Sequence, residues 1–124
     1  MRVLIAARDI RVRRALSRLL ELDGDRVVGA ADAPAQLPEL DADLSPDLVV
    51  LELDRPEHLQ DLAVVRGLAR RGRAVIVVCS GAAACDAVLA AGARACLDKD
   101  ADFPDRLAEA VRAVPGHRMT APPP

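Results

Sequence analysis

Short, unbroken apolar runs alternate along the chain with longer stretches in which apolar residues recur every three or four positions. Val3-Leu4-Ile5-Ala6, Leu48-Val49-Val50-Leu51 and Val75-Ile76-Val77-Val78 contain no polar residue, the pattern of parallel strands covered on both faces. Val27-Val28 and Ala95-Cys96-Leu97 are weaker runs, suited to edge strands. A helix is predicted from about Ile10 to Leu22, with Val12, Leu16, Leu19 and Leu20 on one face, Asp9 as N-cap and Gly24 closing the segment. A short second helix near Pro34 to Leu40 is doubtful because Pro38 would break its interior. A third is predicted over Glu57 to Arg70, burying Leu59, Leu62, Ala63, Val65 and Ala69, and a fourth over Ala82 to Ala91, ended by Gly92. The fifth starts near Pro104, a good first-turn residue, and buries Leu107, Val111 and Val114.

Five strands alternating with helices predict an α/β, flavodoxin-like doubly wound (βα)5 fold, with a five-stranded parallel sheet in the order 2-1-3-4-5. The domain is expected to span residues 1–114. Residues 115–124, with their closing Pro122-Pro123-Pro124, read as a flexible tail or linker. In such sheets a site forms outside the carboxyl ends of the strands, where the strand order reverses. That rule points to Ala7, Arg8 and Asp9, then to Glu52 and Asp54, Cys79 and Ser80, and Lys99.

Composition narrows the function. The chain has 124 residues, 52% hydrophobic and 29% charged, enough for one soluble domain with a substantial core. No apolar run approaches the ~20 residues needed to span a bilayer. The apolar start is too short for a secretion signal and runs directly into Arg8-Asp9, so a cytoplasmic location is expected. Net charge is −2, which gives no electrostatic footprint for nucleic acid. Arg11, Arg13, Arg14 and Arg18 are expected on a solvated helix face, with a phosphate-binding stripe as the competing reading. Trp and Tyr are absent and Phe103 is the single Phe, so the core must be built from Leu, Val and Ala. Cys79, Cys85 and Cys96 have no metal-ligand spacing, and no metal site is expected of them.

Several segments carry a resemblance. Arg2-Val3-Leu4-Ile5, Val12-Arg13-Arg14-Ala15-Leu16, Pro46-Asp47-Leu48-Val49-Val50-Leu51, and Ala91-Gly92-Ala93 leading to Leu97-Asp98-Lys99-Asp100 resemble a response-regulator receiver domain. Lys99 followed by Asp100-Ala101-Asp102 is similar to the NarL/FixJ-type branch. The resemblance implies a phosphoacceptor aspartate after the third strand and two acidic residues after the first, together binding Mg²⁺. It also implies a Thr or Ser after the fourth strand, and a switch aromatic and a lysine at the fifth. Here the acidic pair falls on Ala7 and Arg8, the acceptor on Glu52, the Thr/Ser on Cys79 with Ser80 next to it, and the aromatic on Cys96. Only the lysine, Lys99, is retained.

These departures all oppose the family's chemistry. Mg²⁺ needs hard oxygen ligands, and two of the expected donors are gone. Two like unit charges ~4 Å apart repel by about 4 kcal/mol at an effective dielectric of 20, so Arg8 works against any metal there. Mg²⁺ binding and metal-dependent phosphorylation are therefore expected to be lost, and no other cofactor is expected. A substitute triad of Asp9, Glu52 and Asp54 competes with a simpler reading in which Asp9 caps the first helix and Asp54 solvates a loop. The economical expectation is an ion pair between Lys99 and Glu52, with Arg8 competing for the same carboxylate. Cys79 and Cys96, on adjacent strands, are either small apolar fillers or a redox pair.

The leading functional expectation is an atypical, phosphorylation-independent signalling and transcription-regulatory module. It would act by homodimerisation, through helix 4, strand 5 and helix 5 or through helices 1 and 5, or by binding a partner. A C-terminal DNA-binding effector domain would follow in a longer parent chain. The alternative is a sensor of a small anionic ligand held by Arg8 and Lys99. Catalysis is not expected: there is no Gly-rich phosphate loop after the first strand, and neither His58 nor His117 sits beside a nucleophile.

Overall fold

The computed structural model describes residues 1–53, 59–79, 85–99 and 102–115. Its elements are β1 (Arg2–Ala6), α1 (Ile10–Leu22), β2 (Arg26–Ala31), a 3₁₀ turn (Pro34–Gln36), α2 (Leu37–Leu44), β3 (Leu48–Leu53), α3 (Leu59–Arg70), β4 (Ala74–Cys79), α4 (Cys85–Ala90), β5 (Ala95–Asp98) and α5 (Phe103–Arg112). The five strands form one parallel sheet in the order β2-β1-β3-β4-β5, as the alternation predicts. No helix among the described residues is long and apolar enough to cross a membrane.

Strand alternation sends successive side chains to opposite faces, and each face has its own core. Val3, Ile5, Leu48, Val50, Ile76, Val78 and Leu97 meet Leu16 and Leu20 of α1 and Leu107 and Val111 of α5. On the other face, Leu4, Val49, Leu51, Leu53, Val75 and Val77 meet Leu37 before α2's proline, Leu62, Val65 and Leu68 of α3, and Val88 of α4. Phe103, the lone aromatic, is half-buried at the margin of the first core, so aliphatic packing carries the fold. Truncating any of these buried leucines to Ala would cost about 2–5 kcal/mol.

Several boundaries differ from the sequence expectation. Pro38 does not break the second helix, because it lies in the first turn, where the backbone N–H groups have no intrahelical acceptor to lose. The helix therefore forms and continues to Leu44, where Ser45 closes it in the left-handed region at φ 45°. In α3, Ala63 is exposed and Leu68 takes the burial assigned to it. The start of the predicted third helix (57–58), most of the start of the fourth (82–84) and nearly all of the tail lie outside the described residues.

Two contacts fix the layers. Gly92 adopts φ +113°, and a Cβ there would lie 2.6 Å from the Ala69 Cβ, so only glycine lets the end of α4 approach α3 and feed β5 at this register. At the same amino-terminal end of the strands the buried Asp41 of α2 accepts from Arg73 Nε at 2.6 Å and from Arg71 Nη1 at 3.3 Å. Arg73 also donates to the Pro46 carbonyl, which ties α2, the entry to β3 and the entry to β4 together.

Candidate functional site at the carboxyl ends of the strands

Strand β3 runs past its apolar stretch, so Glu52 lies inside the strand, paired in register with Val78, and does not merely terminate it. Leu48 and Val50 face the α1/α5 core, and alternation puts Glu52 on that side. Its side chain is 2% exposed. A carboxylate so placed requires a charged partner, and Lys99 supplies it: the ammonium donates to Glu52 Oε2 in a direct ion pair. Lys99 follows β5, and its backbone N–H donates to the Cys79 carbonyl at 3.2 Å, which holds the base of the side chain at the strand ends. The lysine remains one-third exposed, so the cation caps the mouth of the site and the anion lies beneath it.

Arg8 goes elsewhere. Its guanidinium lies 3.7 Å from Asp61 in the first turn of α3, and Asp61 is the one carboxylate within ion-pair reach of it among the described residues. The expected competition of Arg8 with Lys99 for Glu52 therefore does not occur, because Arg8 is drawn across to α3. Sequence reasoning missed Asp61, a buried acid whose Oδ2 has no hydrogen-bond partner among the described residues. Its place in a helix's first turn, where negative charge is favourable, was the available signal.

Asp9 caps α1: its carboxylate accepts from the Arg11 backbone N–H at 2.8 Å and from the Arg11 guanidinium at 2.9 and 3.2 Å. Those hydrogen bonds hold the Asp9 carboxyl below the ordinary aspartate range and raise Arg11 in turn. Arg13 departs from the solvated-face expectation. It is half-buried, and its Nη1 donates to the carbonyls of Ala7 at 2.7 Å and Arg8 at 3.2 Å. Asp54 and Ser80 lie outside the described residues.

This arrangement fits a hard dication poorly. Ala7 is buried and offers no side-chain donor, its carbonyl is occupied by Arg13, and the inner carboxylate is engaged by Lys99. Two cationic side chains, Arg8 and Arg13, lie at the loop that would have to supply oxygen ligands.

On the other face of the sheet the same strand ends carry sulfur. Cys79 ends β4, Cys96 lies in β5 and Cys85 opens α4. Cys96 pairs in register with Val77 and Cys79 with Asp98, so the two cysteines are diagonal neighbours on one face, with their sulfurs 3.2 Å apart. The adjacency expected of them is present, but the disulfide joins Cys96 to Cys85, and the Cys79 sulfur lies 3.8 Å from that of Cys85. Burial pushes the Cys79 thiol up, Asp98 adds to the shift and Lys99 opposes it. The absence of metal-ligand spacing was a poor guide, since strand pairing and the start of α4 bring all three sulfurs within 4.8 Å of one another.

Comparison with known proteins agrees with this geometry. The signal receiver domain described for the response regulator NarL from Mycobacterium tuberculosis superposes with a TM-score of 0.75 at 26% identity, covering 89% of this chain and 91% of that one. A DNA-binding response regulator of the LuxR family from Staphylococcus aureus gives 0.77 at 19% identity, covering 91% and 97%. The response regulator domain of Thermotoga maritima CheB gives 0.79 at 23% identity, covering 99% and 98%. No family model matches the sequence, and no curated protein matches it. The structural neighbours are response-regulator receiver domains, NarL/LuxR-type members among them, and the chain has their fold.

Proposed function

We propose that this is an atypical receiver domain, a non-catalytic signalling module that works without phosphorylation and without Mg²⁺. The observation that carries the reading is the Lys99–Glu52 ion pair. In the resemblance, that lysine meets the phosphoryl group. Here a buried carboxylate meets it permanently, with about one negative charge where a phosphoryl group would bring nearly two. The module would thus be held in one state, with output set by dimerisation or by a partner rather than by a kinase. The LuxR-family neighbour from S. aureus is a DNA-binding regulator, which supports a transcription-regulatory role through an effector domain in a longer parent chain.

For a homodimer, the α1/α5 side has the stronger support. A cleft of about 550 Å³ between those helices is lined by Val12, Leu16, Leu19 and Phe103, and Leu22 nearby is 75% exposed. The other expected face, around α4, contributes one large exposed apolar residue among the described residues, Leu89. The anion-sensor alternative has less support, because Lys99 is neutralised by Glu52 and Arg8 faces Asp61.

Incubation with acetyl phosphate and Mg²⁺ tests the central reading. Intact mass is expected to stay unchanged, and a gain of one phosphoryl group on Glu52 or Asp54 would overturn it. Sedimentation of the parent chain and of Glu52→Gln/Lys99→Met tests the output: the dimer should weaken in the double variant. A strict monomer at micromolar concentration removes the dimer from the proposal.

A further inference from the structure

We propose that Cys79, Cys85 and Cys96, in their reduced form, bind one thiophilic metal ion of the Zn²⁺ class, and that the Cys85–Cys96 disulfide is the metal-free alternative state of that site. The cluster lies on the sheet face opposite the Glu52–Lys99 pair and does not depend on the reading of that pair.

The arrangement of the sulfurs favours a metal site over a thiol relay. For Cys79 to displace Cys85 from Cys96, the three sulfurs must approach a line, which puts the outer two about 5.2 Å apart: the 3.2 Å approach plus an S–S bond of ~2.05 Å. They are 3.8 Å apart, so Cys79 lies beside the disulfide and not behind it. A tetrahedral ion with Zn–S bonds of about 2.3 Å needs sulfurs roughly 3.8 Å from one another. The Cys79–Cys85 separation already has that value, and the Cys79–Cys96 separation is within a small side-chain rotation of it.

The supporting scaffold is rigid where a ligand set needs rigidity. Cys79 and Cys96 are anchored on paired strands, and Cys79 is fully buried. Cys85 and Cys96 are half-buried, so an ion can enter from the α4 side. Three thiolates, with no nitrogen ligand beside them among the described residues, form a soft donor set, which selects Zn²⁺, Cd²⁺ or Cu⁺ over Mg²⁺ or Ca²⁺. One coordination position is left for solvent or an exogenous ligand.

The two states exchange in a balanced step. A dithiol reductant gives two electrons and two protons to the Cys85–Cys96 bond. Two thiols form, the reductant becomes a cyclic disulfide, and the incoming ion then displaces the three thiol protons. Oxidation reverses the sequence and expels the ion.

The test uses the full chain, reduced with a phosphine under anaerobic conditions, stripped with chelator and titrated with Zn²⁺ or Cd²⁺. Calorimetry and native mass spectrometry should report one ion per chain, and prior oxidation with a diazene should abolish binding. Cys79→Ser, Cys85→Ala and Cys96→Ala should each weaken binding by at least about 100-fold. Cys79→Val serves if the serine variant does not fold. Failure of the folded, reduced parent chain to take up one equivalent overturns the proposal. So does unchanged affinity in either Cys79 variant, because the ion would then be held by Cys85 and Cys96 alone.

Discussion

The two faces of the sheet meet at the same strand ends and solve different problems there. On the α1/α5 side, β3 delivers a carboxylate and β5 a lysine, and the two neutralise each other beneath a partly exposed cap. On the α3/α4 side, β4, β5 and the start of α4 deliver polarizable, redox-active sulfurs, with Cys79 fully buried and Cys85 and Cys96 half-buried. On the proposed reading, the first arrangement is closed to metal and anion by its own charges. The second is held by chemistry that an oxidant, a reductant or an ion can change. One strand end can therefore be electrostatically fixed on one face and chemically switchable on the other, since alternation isolates the two by a sheet's thickness.

The largest expected effects come from opening either arrangement. Reducing the disulfide removes a link across a sequence separation of 11, which should lower stability by about 3 kcal/mol on the loop-entropy account, read as a lower urea midpoint in the reduced metal-free chain. An unchanged midpoint would mean that the sulfur face contributes nothing by being linked. Lys99→Met alone leaves the Glu52 carboxylate buried without its cation and should cost about 2–3 kcal/mol, somewhat below a fully buried pair because Lys99 is one-third exposed. Adding Glu52→Gln should return the chain to within about 1 kcal/mol of the parent. A double variant as damaged as the single one would show that packing, not charge, holds this face.

Smaller effects sharpen the contrast. Arg8→Ala removes a long, half-exposed contact to Asp61 and should cost under about 1 kcal/mol by thermal melting. A larger loss would place Arg8 in the fixed side of the comparison. The smallest effect is a pH dependence at Asp9. Its carboxyl titrates below the ordinary range in the folded chain, so its contribution is present above the unfolded-state value and fades as pH falls through the folded-state value. Asp9→Asn keeps a capping acceptor without charge. Its melting temperature should sit below the parent's near neutrality and converge with it in acid. Parallel curves would refute the assigned cause.

The sequence expresses the two sides unequally. The sheet is legible because Val3-Leu4-Ile5-Ala6 and its counterparts are uninterrupted, and because Gly92 and Gly24 punctuate them. The Glu52–Lys99 pair is legible because strand order brings both residues to the same edge and the resemblance sets that lysine against the acceptor position. Of the sulfur cluster, strand order shows the nearness of Cys79 and Cys96, but Cys85 stays hidden, because it joins them through the start of α4 rather than through ligand spacing. Arg13 and Asp61 were missed for a related reason. Each looks like a surface charge in the sequence, and only the packed loop and α3's first turn show where it points. Pro38 was misjudged by one turn, the distance that separates a broken helix from a well-started one.

The aliphatic core has an optical consequence. With neither Trp nor Tyr, and one Phe at the margin, the folded chain is nearly transparent in the near ultraviolet. The weak absorbance and circular dichroism of a cystine would stand there almost without aromatic background. The protein thus carries its own chromophore at the sulfur face, and the state of that face can be followed in the unlabelled molecule.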